Sequence, residues 1–506
     1  MIIILYLFTL GVLALYGLHR SALLFLYLRH RRDQSLPSDR FDEADLPRVT
    51  VQLPMFNEIF VVERLIDAAC RIDYPSDRLE IQVLDDSTDA TSSIARARCK
   101  ALRAQGLDVV YLHRQDRHGY KAGALEAGMK VAKGDFIVVF DADFVPGPGI
   151  VRELIDFFAD SAVGMVQARW AHLNRDRSLL TRCQAMLLDG HFVIEHSARN
   201  RSGRFFNFNG TAGMWRKSAI IDAGGWQHDT ITEDMDLSYR AQLAGWKFVY
   251  APQLSVPAEL PAEMSSFKGQ QYRWAKGSVQ TARKLLGTIL HAPVSRHVKT
   301  EAVFHLSNNF AYLFLLVLAL LQLPNMLIRR QLEHPELLML DVPMFVATCG
   351  SVAAFYVVAH RDLYGGRWGA IKRLPAMMAL GIGLSVNNGR AALEGWFGRD
   401  VEFVRTPKRG TFDGKPESAA KGYRGRWPWH NAVELGFAIY CTVSLLVAVA
   451  TQSWASVPFL LLFCSGFSWV ALASLQEALL RSQGDVELTA QEPSTHSSPS
   501  PQSMLS

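Results

Sequence analysis

Residues 136–143 read Phe-Ile-Val-Val-Phe-Asp-Ala-Asp, so five apolar residues are followed at once by two acidic residues one position apart. A short run of β-branched and aromatic residues predicts a buried strand. Asp141 and Asp143 then stand at its carboxyl end. In parallel α/β sheets, ligands bind at this end of the strands. The segment therefore predicts a sheet with a polar site at its edge.

Predicted strands alternate with predicted helices in the neighbouring sequence. Strands are predicted at residues 49–53, 79–84 and 109–113, and helical patterns begin at residues 60, 90, 122 and 149. Short β-rich runs separated by helices of about ten to fifteen residues predict a largely parallel α/β sheet. The chain has no GxGxxG and no Walker A motif. The dinucleotide-binding and P-loop classes therefore lose support.

Long apolar segments flank this domain, which we place at residues 47–262. Residues 1–28 predict a membrane helix whose basic flank at residues 29–32 faces the cytoplasm. Residues 301–476 predict about four more spans, an interfacial or re-entrant segment at 372–397 and a cytoplasmic loop at 398–428. The four spans are expected near residues 303–328, 342–359, 432–450 and 457–475. Residues 483–506 are rich in Ser, Pro and Gln and predict a disordered tail.

These assignments predict an integral membrane protein with five spans, or six if residues 372–397 cross the bilayer. The soluble domain is expected on the cytoplasmic side, at the inner or plasma membrane if the source is bacterial. A net charge of +5 over 506 residues gives no reason to expect nucleic acid as a partner. The six Cys lie far apart without CxxC spacing, which favours reduced thiols over a disulfide framework or a zinc site.

A second acidic cluster, Asp85-Asp86-Ser87, follows the predicted strand at residues 79–84. Paired carboxylates at a strand end can share a hard divalent cation, which prefers oxygen ligands. Such a cation can neutralise the charge that develops on a diphosphate leaving group. Each cluster alone is also typical of a turn or a helix cap. Their placement on strands expected to be adjacent favours a common site.

Two further clusters lie later in the chain. Thr232-Glu233-Asp234 precedes a helical pattern, where Thr232 either caps the helix or one carboxylate serves as the general base for a sugar hydroxyl. Gln270-Gln271-Tyr272-Arg273-Trp274 lies in residues 263–295, which predict an amphipathic interfacial helix. Arg and Trp are ordinary anchors at a membrane interface. Alternatively, Trp274 stacks on a sugar while Arg273 and Gln270 bind pyrophosphate and acceptor.

The order of these four clusters, followed by membrane spans, resembles the processive branch of glycosyltransferase family 2, which includes cellulose, chitin and hyaluronan synthases. Residues 208–213, 224–226, 233–237, 245–250 and 259–261 resemble the plant cellulose synthase-like A and C groups, which include mannan and glucomannan synthases, and their bacterial relatives. The resemblance is strong over residues 47–290. It implies a GT-A-like nucleotide-sugar domain, with a Rossmann-like mixed sheet, inserted between transmembrane helices.

The resemblance also implies roles for individual residues. Asp234 would be the general base beside Glu233, and Asp141 and Asp143 would hold Mg²⁺ or Mn²⁺. Gln270, Arg273 and Trp274 would line the acceptor and diphosphate end. The expected donor contacts are Pro54, Asn57, Glu58, Asp85, Asp86, Lys121 and Asp141.

The function expected from these features is that of an inverting membrane hexosyltransferase. It would transfer a hexose from UDP-glucose or GDP-mannose to a growing β-linked polysaccharide, a β-glucan or a (gluco)mannan. One alternative is an enzyme that adds sugar to a lipid, and another is a non-enzymatic scaffold or transport protein. The expected partners are the nucleotide-sugar donor, a glycan or lipid acceptor and membrane lipids.

Overall fold

The computed structural model describes residues 1–332, 337–398 and 429–490. Its soluble part is an α/β domain built on one seven-stranded sheet, which confirms the predicted fold class. The strands are β1 (Val49–Met55), β2 (Leu79–Asp85), β3 (Val109–His113), β4 (Phe136–Val139), β5 (Val163–His172), β6 (Gly213–Arg216) and β7 (Lys247–Ala258).

The helices of the described residues belong to the soluble domain, to the membrane region or to the connection between them. They are α1 (Ile2–Arg29), α2 (Val62–Cys70), α3 (Thr91–Ala104), α4 (Tyr120–Val131), α5 (Ile150–Ile155), α6 (Leu179–Gly190), α7 (Ser197–Arg201), α8 (Lys217–Asp222), α9 (Glu233–Leu243), α10 (Met264–His291), α11 (Arg296–Ser307), α12 (Ala311–Leu332), α13 (Leu337–Phe345), α14 (Ser351–Tyr364), α15 (Trp368–Gly383), α16 (Ser385–Phe397), α17 (Trp429–Ala450) and α18 (Val457–Ala490). Two π-helices, His191–His196 and Val346–Gly350, follow α6 and α13. Short 3₁₀ helices lie at Glu43–Asp45, Asp156–Ala159, Asn308–Phe310 and Trp454–Ser456.

The strand order is β3-β2-β1-β4-β6-β5-β7, and only β6 runs antiparallel to its neighbours. The other six strands therefore end at one edge of the sheet, and β6 begins there. Six of the seven strands are parallel, as the strand–helix pattern predicted, and β6 makes the sheet mixed because it separates β4 from the parallel pair of β5 and β7. The expected adjacency of the two acidic strands was wrong, since β1 pairs with both β2 and β4 and lies between them.

The two faces of the central strands differ in chemistry. Every side chain of β1 is buried, and Val49, Val51 and Leu53 belong to the main apolar core. The alternate residues are polar: Thr50 donates a hydrogen bond to Glu80, and Gln52 donates one to Gln82. Helix α4 packs on this polar face through Gly128, where an added Cβ would lie 2.5 Å from the amide nitrogen of Gln52. This close packing fixes the helix that carries Lys121.

Five helical segments are long and apolar enough to cross a bilayer, judged by length and composition over the described residues. They are Ile2–Arg29, Arg296–Leu332, Asp341–Tyr364, Trp429–Ala450 and Trp454–Leu480. Helices α15 and α16 together would make a sixth, but they are bent by 43° with respect to each other. The chain is thus a polytopic membrane protein, and the interfacial or re-entrant character of residues 372–397 stays a prediction.

Two sequence predictions concern the C-terminal third. The predicted loop at 398–428 lies, beyond Gly398, outside the described residues. The prediction of a disordered tail at 483–506 was wrong for its first residues, because α18 continues to Ala490. Each residue added to an existing helix gains a hydrogen bond, so a helix extends into a polar segment more easily than a new helix forms there.

Candidate active site

A cavity of about 230 Å³ opens at the sheet edge where six strands end. It contains most of the site residues that the sequence predicted. Those that line it are Pro54, Glu58, Asp86, Lys121, Asp141, Asp143, Glu233, Asp234, Gln270, Arg273 and Trp274. The fold therefore brings residues spread over 220 positions of sequence (54 to 274) around one space. Asn57 and Asp85, also predicted as donor contacts, are not among its lining residues.

Asp85 is the last residue of β2, and its carboxylate is fully buried. It accepts hydrogen bonds from the hydroxyl of Tyr111 at 2.7 Å and the backbone N–H of Ser87 at 2.9 Å. Burial opposes ionisation, but the hydrogen bonds from Ser87 and Tyr111 outweigh it and lower the pKa of Asp85. Asp85 thus fixes the loop that carries Asp86.

Asp86 faces the cavity and pairs with Arg114, which donates from Nε and Nη2 to its two oxygens at 2.8 and 2.5 Å. Such bidentate pairs have a fixed geometry. Arg114 also donates to the carbonyls of His118 and Tyr120, in the loop before α4. The carboxylate at the end of β2 is therefore tied to the segment that presents Lys121.

Asn57 joins the loops after β1 and β2. Its backbone has a φ of 55°, in the left-handed region that Asn tolerates better than most residues. Its N–H donates to Oγ of Ser87 at 2.7 Å, and its side-chain oxygen accepts from the N–H of Thr88 at 2.8 Å. Asn57 consequently acts on the shape of the cavity through these two loops.

Lys121 connects three parts of the site. Its ammonium donates to Oδ1 of Asp141 at 2.5 Å and to the carbonyl of Gly210 at 2.9 Å. Burial alone would lower the pKa of Lys121, but the charges of Asp141 and Glu233 outweigh it and raise that pKa. Gly210 has a φ of 79°, and a Cβ there would lie 2.9 Å from Oδ2 of Asp234. Only glycine lets the backbone pass this close to both charges.

Glu233 and Asp234 form the first turn of α9 and line the cavity side by side. Burial and the charge of Asp234 raise the pKa of Glu233. Burial also raises the pKa of Asp234, while the charge of Lys121 partly opposes this rise. Thr232 is the N-cap residue, yet its side chain makes no capping hydrogen bond. Its hydroxyl instead lies 3.4 Å from that of Thr281 on α10.

Helix α10 also lines the cavity and contributes Gln270, Arg273 and Trp274. Burial lowers the pKa of Arg273 to about 10, against the opposing charges of Asp141, Asp143 and Glu233. Arg273 therefore faces the same carboxylates as Lys121. The ring of Trp274 lies 6.4 Å from that of Trp170 at the end of β5. Both indoles line the cavity.

The carboxylates of Asp141 and Asp143 are the candidate metal ligands. No group of three or more His, Cys, Asp and Glu side chains positioned to hold a metal ion occurs among residues 1–332, 337–398 and 429–490. Two carboxylates can nevertheless bind a hard divalent cation whose remaining ligands are waters and phosphate oxygens. The residues present therefore fit a divalent cation that binds together with a diphosphate.

Trp170 and His172 also line the cavity, from the C-terminal end of strand β5, although no sequence motif predicted them. Residues 163–168 are apolar or small except for Gln167, and they are all buried. Recognising this run as a strand would have placed Trp170 and His172 at the same edge as the acidic clusters.

Comparison with known proteins identifies the family of this chain. The profile of the glycosyltransferase like family 2 matches residues 47–277. Glucomannan 4-beta-mannosyltransferase 1 of Oryza sativa subsp. japonica is 36% identical over 441 residues, which cover 82% of this chain and 81% of that protein. Glucomannan 4-beta-mannosyltransferase 2 of Arabidopsis thaliana is 37% identical over 433 residues, which cover 82% of this chain and 78% of that protein.

Among solved structures, the mannosyltransferase PcManGT of Pyrobaculum calidifontis, in complex with GDP-Man and Mn²⁺, matches with a TM-score of 0.50. The two chains are 20% identical, and the match covers 77% of this chain and 100% of the other. This likeness concerns the fold, which is the GT-A-like mixed sheet that the sequence predicted.

The acidic edge of a GT-A-like sheet, set among apolar helices, defines a membrane glycosyltransferase. The chain belongs to glycosyltransferase family 2, in the cellulose synthase-like group, and is a hexosyltransferase.

Proposed function

We propose that this chain transfers mannose from GDP-mannose to the growing end of a β-1,4-linked mannan or glucomannan, with UDP-glucose as a second donor. Mg²⁺ or Mn²⁺ would serve as the divalent cation. The names of the relatives support mannose and the 4-linkage. The observation that carries the proposal is the cavity itself, in which the carboxylates of Asp141, Glu233 and Asp234 act on the buried ammonium of Lys121, while Asp86 and Arg273 line the same space.

The donor would lie along the sheet edge. The nucleoside part would bind between the loops after β1 and β2, where Pro54, Glu58 and Asp86 line the cavity. Its diphosphate would lie near Asp141 and Asp143, within reach of Lys121 and Arg273, whose positive charges stabilise the leaving group. When bound, a divalent cation on Asp141 and Asp143 supplies further positive charge at the diphosphate.

The transfer is a single displacement. A hydroxyl oxygen of the acceptor attacks the anomeric carbon, the bond from that carbon to the phosphate oxygen breaks, and the nucleoside diphosphate leaves. Asp234 accepts the proton of the attacking hydroxyl. Attack from the opposite face inverts the configuration, so an α-linked donor gives a β-linked product. Gln270 and Trp274 would bind the acceptor sugar.

A second cavity, of about 1250 Å³, lies among the membrane helices and supports a polymeric product. Tyr6, Arg20, Asn325 and Tyr356 line it with polar groups among apolar residues. It approaches the active site at α6, since Leu187 lines this cavity and Leu188 lines the other. A glycan made by a catalytic domain on the cytoplasmic side would leave through this space.

The test uses purified full-length protein in lipid vesicles with Mg²⁺ or Mn²⁺ and radiolabelled GDP-mannose, UDP-glucose or both. Products are separated into organic-soluble and polymeric fractions, and Asp234→Asn serves as the blank. Polymeric label that a β-mannanase digests is the expected result. Label found only in the lipid fraction would mean a glycolipid enzyme, and label absent with every donor would refute the transferase assignment.

A further inference from the structure

His172 lies in the wall of the active-site cavity at the end of β5, beyond the residues to which a role was assigned. In the strand order, β5 stands two positions beyond β4, which Asp141 and Asp143 follow, and four beyond β2, which Asp86 follows. His172 lies two residues after Trp170, so both side chains are on the same face of β5, and the Trp170 ring lies 6.4 Å from that of Trp274, which is proposed to bind the acceptor sugar. His172 is therefore on the acceptor side.

The imidazole of His172 is held in one orientation. Its Nε2 lies 3.0 Å from Oδ1 of Asp189, and both side chains are nearly inaccessible, at 3% and 4% exposed. An ionised carboxylate only accepts hydrogen bonds, so Nε2 carries the proton and Nδ1 keeps its lone pair in the neutral ring. Within the described part of the chain, Nδ1 makes no hydrogen bond.

A residue of the membrane region holds the carboxylate of Asp189 in place. Oδ2 of Asp189 accepts a hydrogen bond from the hydroxyl of Tyr364 at 3.0 Å, at the end of α14. The guanidinium of Arg175 lies 3.6 Å from the centre of the Tyr364 ring. A buried carboxylate that the Tyr364 hydroxyl also holds keeps the imidazole rigid, which is what a binding contact requires.

The surroundings of His172 suit a sugar. The indoles of Trp170 and Trp274 bound the same part of the cavity, 6.4 Å apart between ring centres. The indole nitrogen of Trp170 is a buried donor without a hydrogen-bond partner among the described residues. Aromatic faces with polar groups at their edges are typical of sites that bind amphipathic rings.

We propose that His172 is a specificity-determining residue of the acceptor site, where Nδ1 accepts a hydrogen bond from a hydroxyl of the terminal acceptor sugar while Asp189 holds the ring. This inference rests on the proposed transfer to a glycan. It assigns the recognition of the acceptor to a wall built by β5, α6 and α14 together.

Two substitutions separate this role from a structural one. Gln places its amide where Nε2 lies and keeps the contact with Asp189, whereas Asn places its amide where Nδ1 lies. His172→Gln should raise the KM for a soluble β-1,4-mannooligosaccharide roughly 3- to 10-fold, as expected for one neutral hydrogen bond. The KM for GDP-mannose and the thermal unfolding midpoint should not change. His297→Gln, at an exposed position on α11, is the matched control.

Calorimetric titration of the oligosaccharide into the GDP-loaded protein makes the result independent of turnover. Weaker binding by His172→Gln supports the inference even if no polymer forms, in which case the proposed function alone fails. Normal acceptor KM and binding in His172→Gln, together with impairment in His172→Asn, would show that the ring only supports Asp189. Failure of the wild-type protein to bind the oligosaccharide would also overturn the inference.

Discussion

The carboxylate of Asp234 illustrates a conflict between function and stability at a single residue. Burial raises its pKa, so the folded protein binds a proton there more tightly than the unfolded chain does. The pair of Asp234 and Glu233 therefore favours folding at low pH, and this contribution is lost as the pH rises through the raised pKa values. At neutral pH the ionised pair costs stability, as is common at catalytic sites.

Asp234→Asn is the first prediction at this scale. The substitution keeps the shape of the side chain but removes the base, so kcat should fall by about 10²- to 10⁴-fold. Binding of GDP-mannose should persist, and the unfolding midpoint should stay constant or rise because a costly buried charge is gone. Equilibrium binding, vesicle transfer and thermal unfolding measure the three quantities. Turnover within threefold of wild type would end the assignment of Asp234 as the base.

The pH profile is a second prediction. A general base works in its ionised form, so transfer should decline as the pH falls through the raised pKa of Asp234. Below that pKa, kcat/KM should drop about tenfold per pH unit, and the midpoint should lie above the ordinary value of 3.8. Rates are measured between pH 4 and 9, with far-UV circular dichroism at each pH as the control for folding. A rate that stays flat down to pH 4 contradicts the prediction.

Among the elements, β1 to β4 could be predicted from sequence because each is a short run rich in β-branched, aromatic or other apolar residues between turn signals. The other strands carry weaker local signals. β6 has only four residues, and β7 contains Pro252 and Pro257, which lower strand propensity. β7 tolerates both because it lies at the edge of the sheet, where backbone N–H groups need no partner strand. The positions of β5, β6 and β7 in the sheet depend on contacts between distant parts of the chain.

Some residues of the site could likewise be predicted from sequence, and others could not. The acidic clusters could be predicted because two of them follow strands of one α/β sheet, whose carboxyl ends form its ligand-binding edge. The wall formed by Trp170 and His172 could not, because it depends on β5. Asp85 was expected to contact the donor, but alternation along β2 turns it into the protein, where Tyr111 and Ser87 bind it. A sequence motif fixes which residues are near a site, but not which one faces it.

The packing of α10 on α9 gives the third prediction. A Cβ at Gly277 would lie 2.4 Å from Cγ2 of Thr232, so Gly277→Ala must displace α10 or the start of α9. Either shift moves Arg273 and Trp274 relative to Asp234. Overpacking of this kind costs about 1–3 kcal/mol, and a misplacement near 1 Å can lower kcat by about a hundredfold.

The matched control for this prediction is Gly287→Ala on the same helix, where nothing lies within 4 Å of the added Cβ. Each variant replaces one glycine inside α10 with alanine, so each gains about 1 kcal/mol of helix propensity. Transfer rates in vesicles are compared for the two. Equal rates in Gly277→Ala and Gly287→Ala would mean that the contact with Thr232 does not position the site.

At the scale of the whole molecule, α10 ties the catalytic domain to the membrane helices. Lys268 is 5% exposed, and its ammonium donates to Glu434 at 2.7 Å and to Asn431 at 2.9 Å, both on α17. Its Nζ also lies 3.3 Å from Oγ of Ser474 on α18. The N-terminus of α10 is fixed as well, because the N–H of Ser265 donates to Glu477 at 3.0 Å. The helix that carries Arg273 and Trp274 is therefore held by the last two membrane helices.

This connection gives the fourth prediction. Glu434→Gln leaves the buried ammonium of Lys268 without its counter-charge, and breaking such a pair costs about 3–5 kcal/mol. The double variant Lys268→Met with Glu434→Leu removes both charges and should be more stable than Glu434→Gln, since an apolar replacement of a buried pair is often neutral. Unfolding in detergent measures the stability of the wild-type protein, of Glu434→Gln and of the double variant. If α10 is positioned through the pair, the double variant regains stability but keeps a reduced transfer rate, because packing alone does not restore the hydrogen bonds to Asn431 and Ser474. Full recovery of the rate would show that the pair contributes to stability and not to the position of the active-site helix.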